Sequence, residues 1–256
     1  MKIITYSDLH LEFGHGWVLP DVVDADVLVL AGDVITFKNA EPFLDLLKGW
    51  EKPVLYVAGN HEYYTNEPMK HGEGAFIKAI ADLPHVHFLR DQSVSINGVH
   101  FFGGTMWTDF SGENPLAMQH AQQNMNDFRI IRNEDHSAFR PENSLILHER
   151  FKKNLLAWFN EGLSGARIVI SHHAPCINPN SQYKSSLLQP AFNSLDMIEI
   201  IEQYQPDYWI YGHTHECDDQ TIGKTRIISN QLGYYNGHGG YESAGFDENG
   251  KPIIIE

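Results

Sequence analysis

The chain has 256 residues, with Lys+Arg 18 against Asp+Glu 33, which gives a net charge of −15. Its 42% hydrophobic and 20% charged content is ordinary for a globular chain, long enough to bury one large core without covalent staples. The acidic balance argues against long nucleic acid as a partner, and two cysteines, Cys176 and Cys217, exclude a disulfide framework.

In chain order, the β-rich run 3–6 ends in Ser7-Asp8-Leu9-His10. Residues 27–30 (Val-Leu-Val-Leu) run into Ala31-Gly32-Asp33. Phe43, Leu44, Leu46 and Leu47 predict a helix over 42–49. Residues 54–57 run into Gly59-Asn60-His61-Glu62, and Phe76, Ile77 and Ile80 then predict a helix over 73–83. Asn97-Gly98 between two apolar runs, 94–96 and 99–102, reads as a hairpin. The segment 108–141 is polar and weakly periodic. It reads as a long excursion over the core, a lid, with a helix over 115–125. A helix over 144–159 follows, with Ser144 as N-cap. Residues 168–170 then run into Ser171-His172-His173. After a helix over 196–204, the run 208–211 leads into Gly212-His213-Thr214-His215. A hairpin about Gly223-Lys224 and the run 252–255 close the chain. Strands alternating with helices make this an α/β protein, and the hairpins make its sheets mixed. No stretch approaches 18 apolar residues and no signal segment opens the chain, so no membrane association and a cytoplasmic location are expected.

In α/β sheets, ligand sites collect beyond the carboxyl ends of strands. Here those ends carry Asp8, His10, Asp33, Asn60, His61, His172, His173, His213 and His215. Carboxylate, amide carbonyl and imidazole together suit Mn²⁺, Zn²⁺ and Fe ions. The set is too large for one ion. Two ions sharing a bridging carboxylate, about 3.5–4 Å apart, would clamp the attacking and leaving oxygens of a phosphoryl displacement.

The ordered motifs Asp8-Leu9-His10, Gly32-Asp33, Gly59-Asn60-His61-Glu62, His172-His173 and Gly212-His213-Thr214-His215 resemble the binuclear metallophosphoesterase (calcineurin-like) superfamily. The runs Thr105-Met106-Trp107-Thr108-Asp109-Phe110 and Met125-Asn126-Asp127-Phe128-Arg129 are similar to a bacterial branch of it. The resemblance implies two mixed β-sheets packed as a sandwich flanked by α-helices, in one domain over 1–256. It also implies a first metal on Asp8, His10 and His215, and a second on Asn60, His172 and His213, with Asp33 bridging. A hydroxide between the metals would be the nucleophile, and His61 would protonate the leaving oxygen. Mn²⁺ is the expected ion, with Fe, Zn²⁺ and Co²⁺ as alternatives. The expected partner is a small phosphorylated substrate, a mono- or diester with the diester favoured. His173, Trp107, Asp127 and Arg129 are the candidate substrate contacts, and Arg129 and Arg132 are candidates to bind extra phosphate charge. A non-catalytic scaffold on the same fold is the alternative reading. The run Asn230-Gln231-Leu232-Gly233-Tyr234 departs from an Asn-Pro-Arg-Gly-Tyr-like pattern of that branch, and 234–241 carries no functional reading.

Overall fold

Eleven strands build the frame of the computed structural model, which describes residues 1–20, 24–237 and 239–256. They are β1 (Lys2–Tyr6), β2 (Val27–Ala31), β3 (Val54–Val57), β4 (Val86–Leu89), β5 (Gln92–Ile96), β6 (Val99–Gly104), β7 (Arg167–Ser171), β8 (Tyr208–Ile210), β9 (Asp218–Ile222), β10 (Thr225–Ser229) and β11 (Lys251–Ile254). One sheet has the order β11-β1-β2-β3-β4 and the other β5-β6-β7-β8-β10-β9. The central strands of each sheet are parallel. The hairpin strands β5 and β9, and the late strand β11, pair antiparallel at the edges.

Period-two alternation explains why the strands read as unbroken apolar runs. Ile3, Val27, Val29, Leu55 and Val57 of the first sheet meet Phe101, Ile168, Ile170, Ile210 and Ile228 of the second in one buried layer. The intervening residues face outward and are covered too. Leu28, Leu30, Val54 and Tyr56 pack with Phe43 and Phe76 from helices on one side. Phe102, Val169, Trp209 and Ile227 pack with Phe151, Leu155, Trp158 and Ile201 on the other. Strands buried on both faces need side chains that are apolar at every position. The α/β sandwich flanked by helices is therefore the observed architecture.

Helix boundaries shift for local reasons. The helix expected over 73–83 is Met69–Ala79. Gly72 and Gly74 weaken its first turns on propensity. Gly72 is nonetheless suited to its place, because a Cβ there would press on Phe37. The helix expected from 144 begins at Pro141, whose fixed φ fits a first turn. Ser144 is not its cap: the hydroxyl donates to Thr108 O at 2.9 Å and accepts from Thr108 N at 3.2 Å. Strand β4 is not evident in the sequence because His87 interrupts its short apolar run Val86–Leu89. The excursion 108–141 contains a helix Pro115–Asn124, capped by Asn114 Oδ1 accepting from Leu116 N and Ala117 N. A short turn of helix, Asp127–Ile130, follows. Among the described residues no helix is long and apolar enough to cross a membrane.

His148 ties the residue just before the excursion to the second sheet's helices. Its Nδ1 donates to Trp107 O at 2.6 Å and its Nε2 to Asp196 Oδ2 at 3.0 Å, and Lys152 Nζ reaches the same oxygen at 2.7 Å. Burial alone would lower the imidazole pKa, but Asp196 reverses this and raises it. A raised folded-state pKa stabilises fully below the unfolded value of about 6.5 and loses that contribution as pH rises through the folded value. His148→Asn should therefore cost about 2 kcal/mol at pH 5.5 and less at pH 8.5. Denaturant titrations of both proteins at the two pH values check this, and a gap that widens with pH would contradict it.

Candidate metal centre

Five strand ends converge where the two sheets meet. Each chain turns there by leaving extended geometry, and five of the seven expected ligands hold positive φ: Asp8 54°, His10 45°, Asp33 52°, His213 73° and His215 52°. Left-handed backbone at residues other than glycine is costly and persists where surrounding structure enforces it. Here the enforcement is a backbone lattice. Asp8 N donates to Gly32 O, His10 N to Asp33 O and Gly212 N to His172 O. The preceding glycines are spatial requirements. A Cβ on Gly59 would strike the Asp33 carboxylate, and one on Gly32 would strike the His172 ring.

The side chains form two adjoining clusters. In the first, His10 Nε2 lies 3.1 Å from His215 Nε2, and His215 Nε2 lies 3.5 Å from Asp8 Oδ1. In the second, Asn60 Oδ1 lies 3.1 Å from His172 Nε2 and 3.0 Å from His213 Nδ1. Asp33 spans them, with Oδ1 3.3 Å from His172 Nε2 and Oδ2 3.9 Å from His10 Nε2. Asp8, His10, Asp33, Asn60 and His172 are all buried.

The donor inventory shows what these clusters fit. His10 Nδ1 donates to Glu12, His215 Nδ1 to Glu242 at 2.6 Å, and His172 Nδ1 to Ala31 O at 2.9 Å. In each neutral ring that bond places the lone pair on Nε2. Those lone pairs then face one another, the Asn60 carbonyl and two carboxylates. Such a knot of acceptors lacks protons and is complemented by cations, with the outer N–H partners fixing each ring as metal-binding histidines require. Asp8, His10 and His215, and likewise Asp33, His172 and His213, place one donor atom each within 4.8 Å of one another. Without a cation, protons substitute. Burial disfavours charge on His172, yet Asp33 raises its pKa to about 10, and His213 beside it is held well below the usual value by burial and the neighbouring rings His173 and His172.

Glu62 supports the site and was not given a role in the sequence reading. It is fully buried. Its Oε2 accepts from Asp33 N at 3.0 Å and Gly59 N at 2.7 Å, and its Oε1 accepts from Val34 N at 2.8 Å and the Tyr56 hydroxyl at 2.6 Å. One carboxylate thus clasps the loops that carry Asp33 and Asn60. Burial, and then Asp33, push its pKa up to about 7. Glu62→Gln would turn an amide N–H₂ against two buried N–H donors. A loss of about 2–6 kcal/mol in the metal-free protein is expected. Urea denaturation measures it, and a change below about 1 kcal/mol would show the clasp to be dispensable.

His61 sits beside the first cluster. Its backbone N–H donates to Asp33 Oδ1 at 2.9 Å, its Nδ1 bonds Glu12 Oε1 at 2.9 Å, and its Nε2 lies 2.9 Å from the Tyr234 hydroxyl. Burial would depress its pKa, but Asp33 and Glu12 raise it to about 9.

A cleft of about 420 Å³ opens over both clusters, lined by Asp33, Asn60, His61, His213 and His215 together with Tyr64, Met125, Asp127, Phe192, Tyr234 and Glu242. The expected substrate contacts separate here. Asp127 reaches the cleft, but its carboxylate also accepts from Asn60 Nδ2 at 2.9 Å and from the Tyr64 hydroxyl, turning the Asn60 carbonyl toward the second cluster. Trp107 is buried against Phe139 and His173 and lines a different depression. His173 is buried with Nδ1 on Thr105 O at 3.2 Å, and burial together with His172 lowers its pKa to about 3. The Arg129 guanidinium bonds Gln123 O, and Arg132 bonds the carbonyls of Arg129 and Ile131. None of Trp107, His173, Arg129 and Arg132 is among the lining residues. Arginines at the ends of short helices find free backbone carbonyls nearby, which is where these two point.

Tyr234 and Glu242 also reach the site without having been singled out in the sequence. The run 230–234 continues from β10 alongside β1: Leu232 N donates to Ser7 O, and Gly233 N to Asp8 O. That carries Tyr234 over His10 and His215, with ring centroids 4.5 and 4.6 Å away. The signal available was that 230–234 also follows a strand end.

Residues 1–217 match the calcineurin-like phosphoesterases, and the chain belongs to that family. Among relatives, an Acanthamoeba polyphaga mimivirus protein is 26% identical over 266 residues, covering 91% of this chain and 92% of its own. A Caenorhabditis elegans protein is 23% identical over 231 residues, covering 84% of this chain and 64% of its own. These relatives are viral and nematode, so the bacterial branch expected from the sequence is not supported by them. Among solved structures, the phosphopantetheinyl hydrolase of Mycobacterium tuberculosis superposes with a TM-score of 0.66 at 19% identity, over 91% of this chain and 89% of its own. A dimetal phosphatase of Danio rerio superposes at 0.52 with 14% identity, over 90% of this chain and 86% of its own. Both share the fold.

Proposed function

We propose that this phosphoesterase is a metal-dependent phosphodiesterase acting on a small substrate. Asp8, His10, Asp33 and His215 would hold one divalent ion, and Asp33, Asn60, His172 and His213 a second. Bound there, two such ions would acidify water and offset phosphate charge. The observation that carries the reading is the convergence of imidazole nitrogens, an amide carbonyl and carboxylates about Asp33, with His10, His172 and His215 each fixed through Nδ1 so that Nε2 faces the site. His61 would bond the leaving oxygen through Nε2 and protonate it, a task suited to its place on the cleft with Nε2 toward the Tyr234 hydroxyl.

The cleft favours a diester. Its described lining residues include no Lys or Arg, and its charges outside the clusters are the His61 imidazolium and the two carboxylates Asp127 and Glu242. The second negative charge of a monoester would find repulsion there, whereas a diester carries one charge fewer. Tyr64, Met125, Phe192 and Tyr234 offer an apolar wall for an ester substituent. In this reading the excursion 108–141 belongs to the same domain and forms one wall of the cleft.

Metal-stripped protein given back Mn²⁺ tests this with bis-p-nitrophenyl phosphate beside p-nitrophenyl phosphate. The diester is expected to turn over faster by about tenfold, ~1.4 kcal/mol in the barrier. A faster monoester would overturn the diester preference, and no turnover of either would favour the scaffold alternative.

A further inference from the structure

One carboxylate links His10 of the first cluster to His61 beside it. Glu12 Oε1 lies 3.2 Å from His10 Nδ1 and 2.9 Å from His61 Nδ1. Its side chain is largely buried, with 12% of its surface exposed. The local sequence makes this reach. His10 takes left-handed backbone as the cap of the single 3-10 turn Leu11–Phe13, and the turn is pinned by Leu11 N donating to Val34 O. Glu12, two residues beyond a candidate ligand, is thereby folded back beneath it and under His61. The two rings meet edge to face, with centroids 4.4 Å apart.

We infer that Glu12 is a positioning residue that sets the orientation and tautomer of His61, and of His10 with it, so that both Nε2 atoms face the reaction cleft. The inference rests on the phosphodiesterase reading. In that reaction the P–O bond to the leaving group breaks and its electron pair stays on the leaving oxygen. That oxygen takes the Nε2 proton of His61, while a water oxygen forms the new P–O bond and gives up its proton to solvent. A free imidazole can present either nitrogen. Fixing Nδ1–H on Glu12 leaves Nε2 as the one atom able to exchange a proton with the leaving group. Tyr64 stacks on the other face of the ring at 4.3 Å and restrains its tilt without selecting a tautomer.

The test is a cycle of Glu12→Gln, His61→Gln and the double variant, assayed with Mn²⁺ on methyl aryl phosphates whose aryl alcohols span a range of acidity. Glu12→Gln is expected to lower kcat about 10–100-fold while keeping its metal, the usual effect of losing an outer partner of a site histidine. The loss should grow as the leaving alcohol becomes less acidic. In the His61→Gln background the same substitution should cost several-fold less, the remainder being its hold on His10, because residues acting as a unit are non-additive. An undiminished penalty in that background, or one independent of the leaving group, would overturn the inference while leaving the phosphodiesterase reading standing. If wild-type protein hydrolyses none of the esters, that reading fails, and Zn²⁺-loaded protein decides the positioning role. There the His61 Nδ1 proton should give a downfield, slowly exchanging NMR signal that Glu12→Ala abolishes. A signal that survives the substitution would overturn the role of Glu12.

Discussion

Asp33→Asn is expected to lower turnover by at least about 10³-fold, beyond the 10–100-fold typical of removing an outer supporting residue. The reason is geometric. The Asp33 carboxylate offers one oxygen to His172 and the other to His10, so it belongs to both clusters. Burial alone would protonate it, but His172 and then His61 hold its pKa well below the carboxylate range. It is therefore a fixed negative charge between two sets of lone pairs. Asparagine is nearly the same size, yet it carries no charge and turns an N–H₂ toward one set. Whichever cluster receives the N–H₂ meets a donor where a cation should bind. Elemental analysis should show both ions weakened, with far-ultraviolet circular dichroism unchanged. Near-normal turnover or two retained equivalents of metal would remove Asp33 from the bridging role.

His61→Gln is expected to lower kcat about 10²–10⁴-fold, the usual scale of general acid help, with metal content intact. His61 lies within reach of His10 and Asp33, so a ligand role is the competing explanation. Its side chain argues for the acid role, because Nδ1 is engaged by Glu12 and Nε2 faces the Tyr234 hydroxyl rather than a cluster. That hydroxyl marks where an alcohol oxygen can sit against the ring. In the metal-free protein, Asp33 and Glu12 raise the His61 pKa to about 9 despite burial. Loss of metal in the variant would instead make His61 a ligand or a structural support.

Much of the frame was legible because it follows from periodicity. Parallel strands covered on both faces must be apolar throughout, and four-residue runs such as Val54–Val57 announce themselves. The candidate ligands were legible for the same reason, since polar residues just beyond buried strands have few other places to point. What escaped depends on turns. Glu12 reads as an ordinary polar residue until the left-handed step at His10 folds it back. Glu62 sits in a motif that names its neighbours, but its five hydrogen-bonding partners come from loops far apart in sequence or from one strand interior. Tyr234 and Glu242 reach the site because 230–234 pairs beside β1, and following a strand end does not by itself encode that pairing. Trp107 and Arg129 were near the right motifs, but side-chain direction, set by packing on Phe139 and by a free carbonyl at Gln123, takes them out of the cleft.

The central claim is that two ions act together on a phosphate ester. Titrating metal-stripped protein with Mn²⁺ while following bis-p-nitrophenyl phosphate hydrolysis and bound metal tests it directly. Turnover should rise with metal and stop rising at two equivalents per chain. Full turnover at one equivalent, or turnover indifferent to metal, would contradict the account.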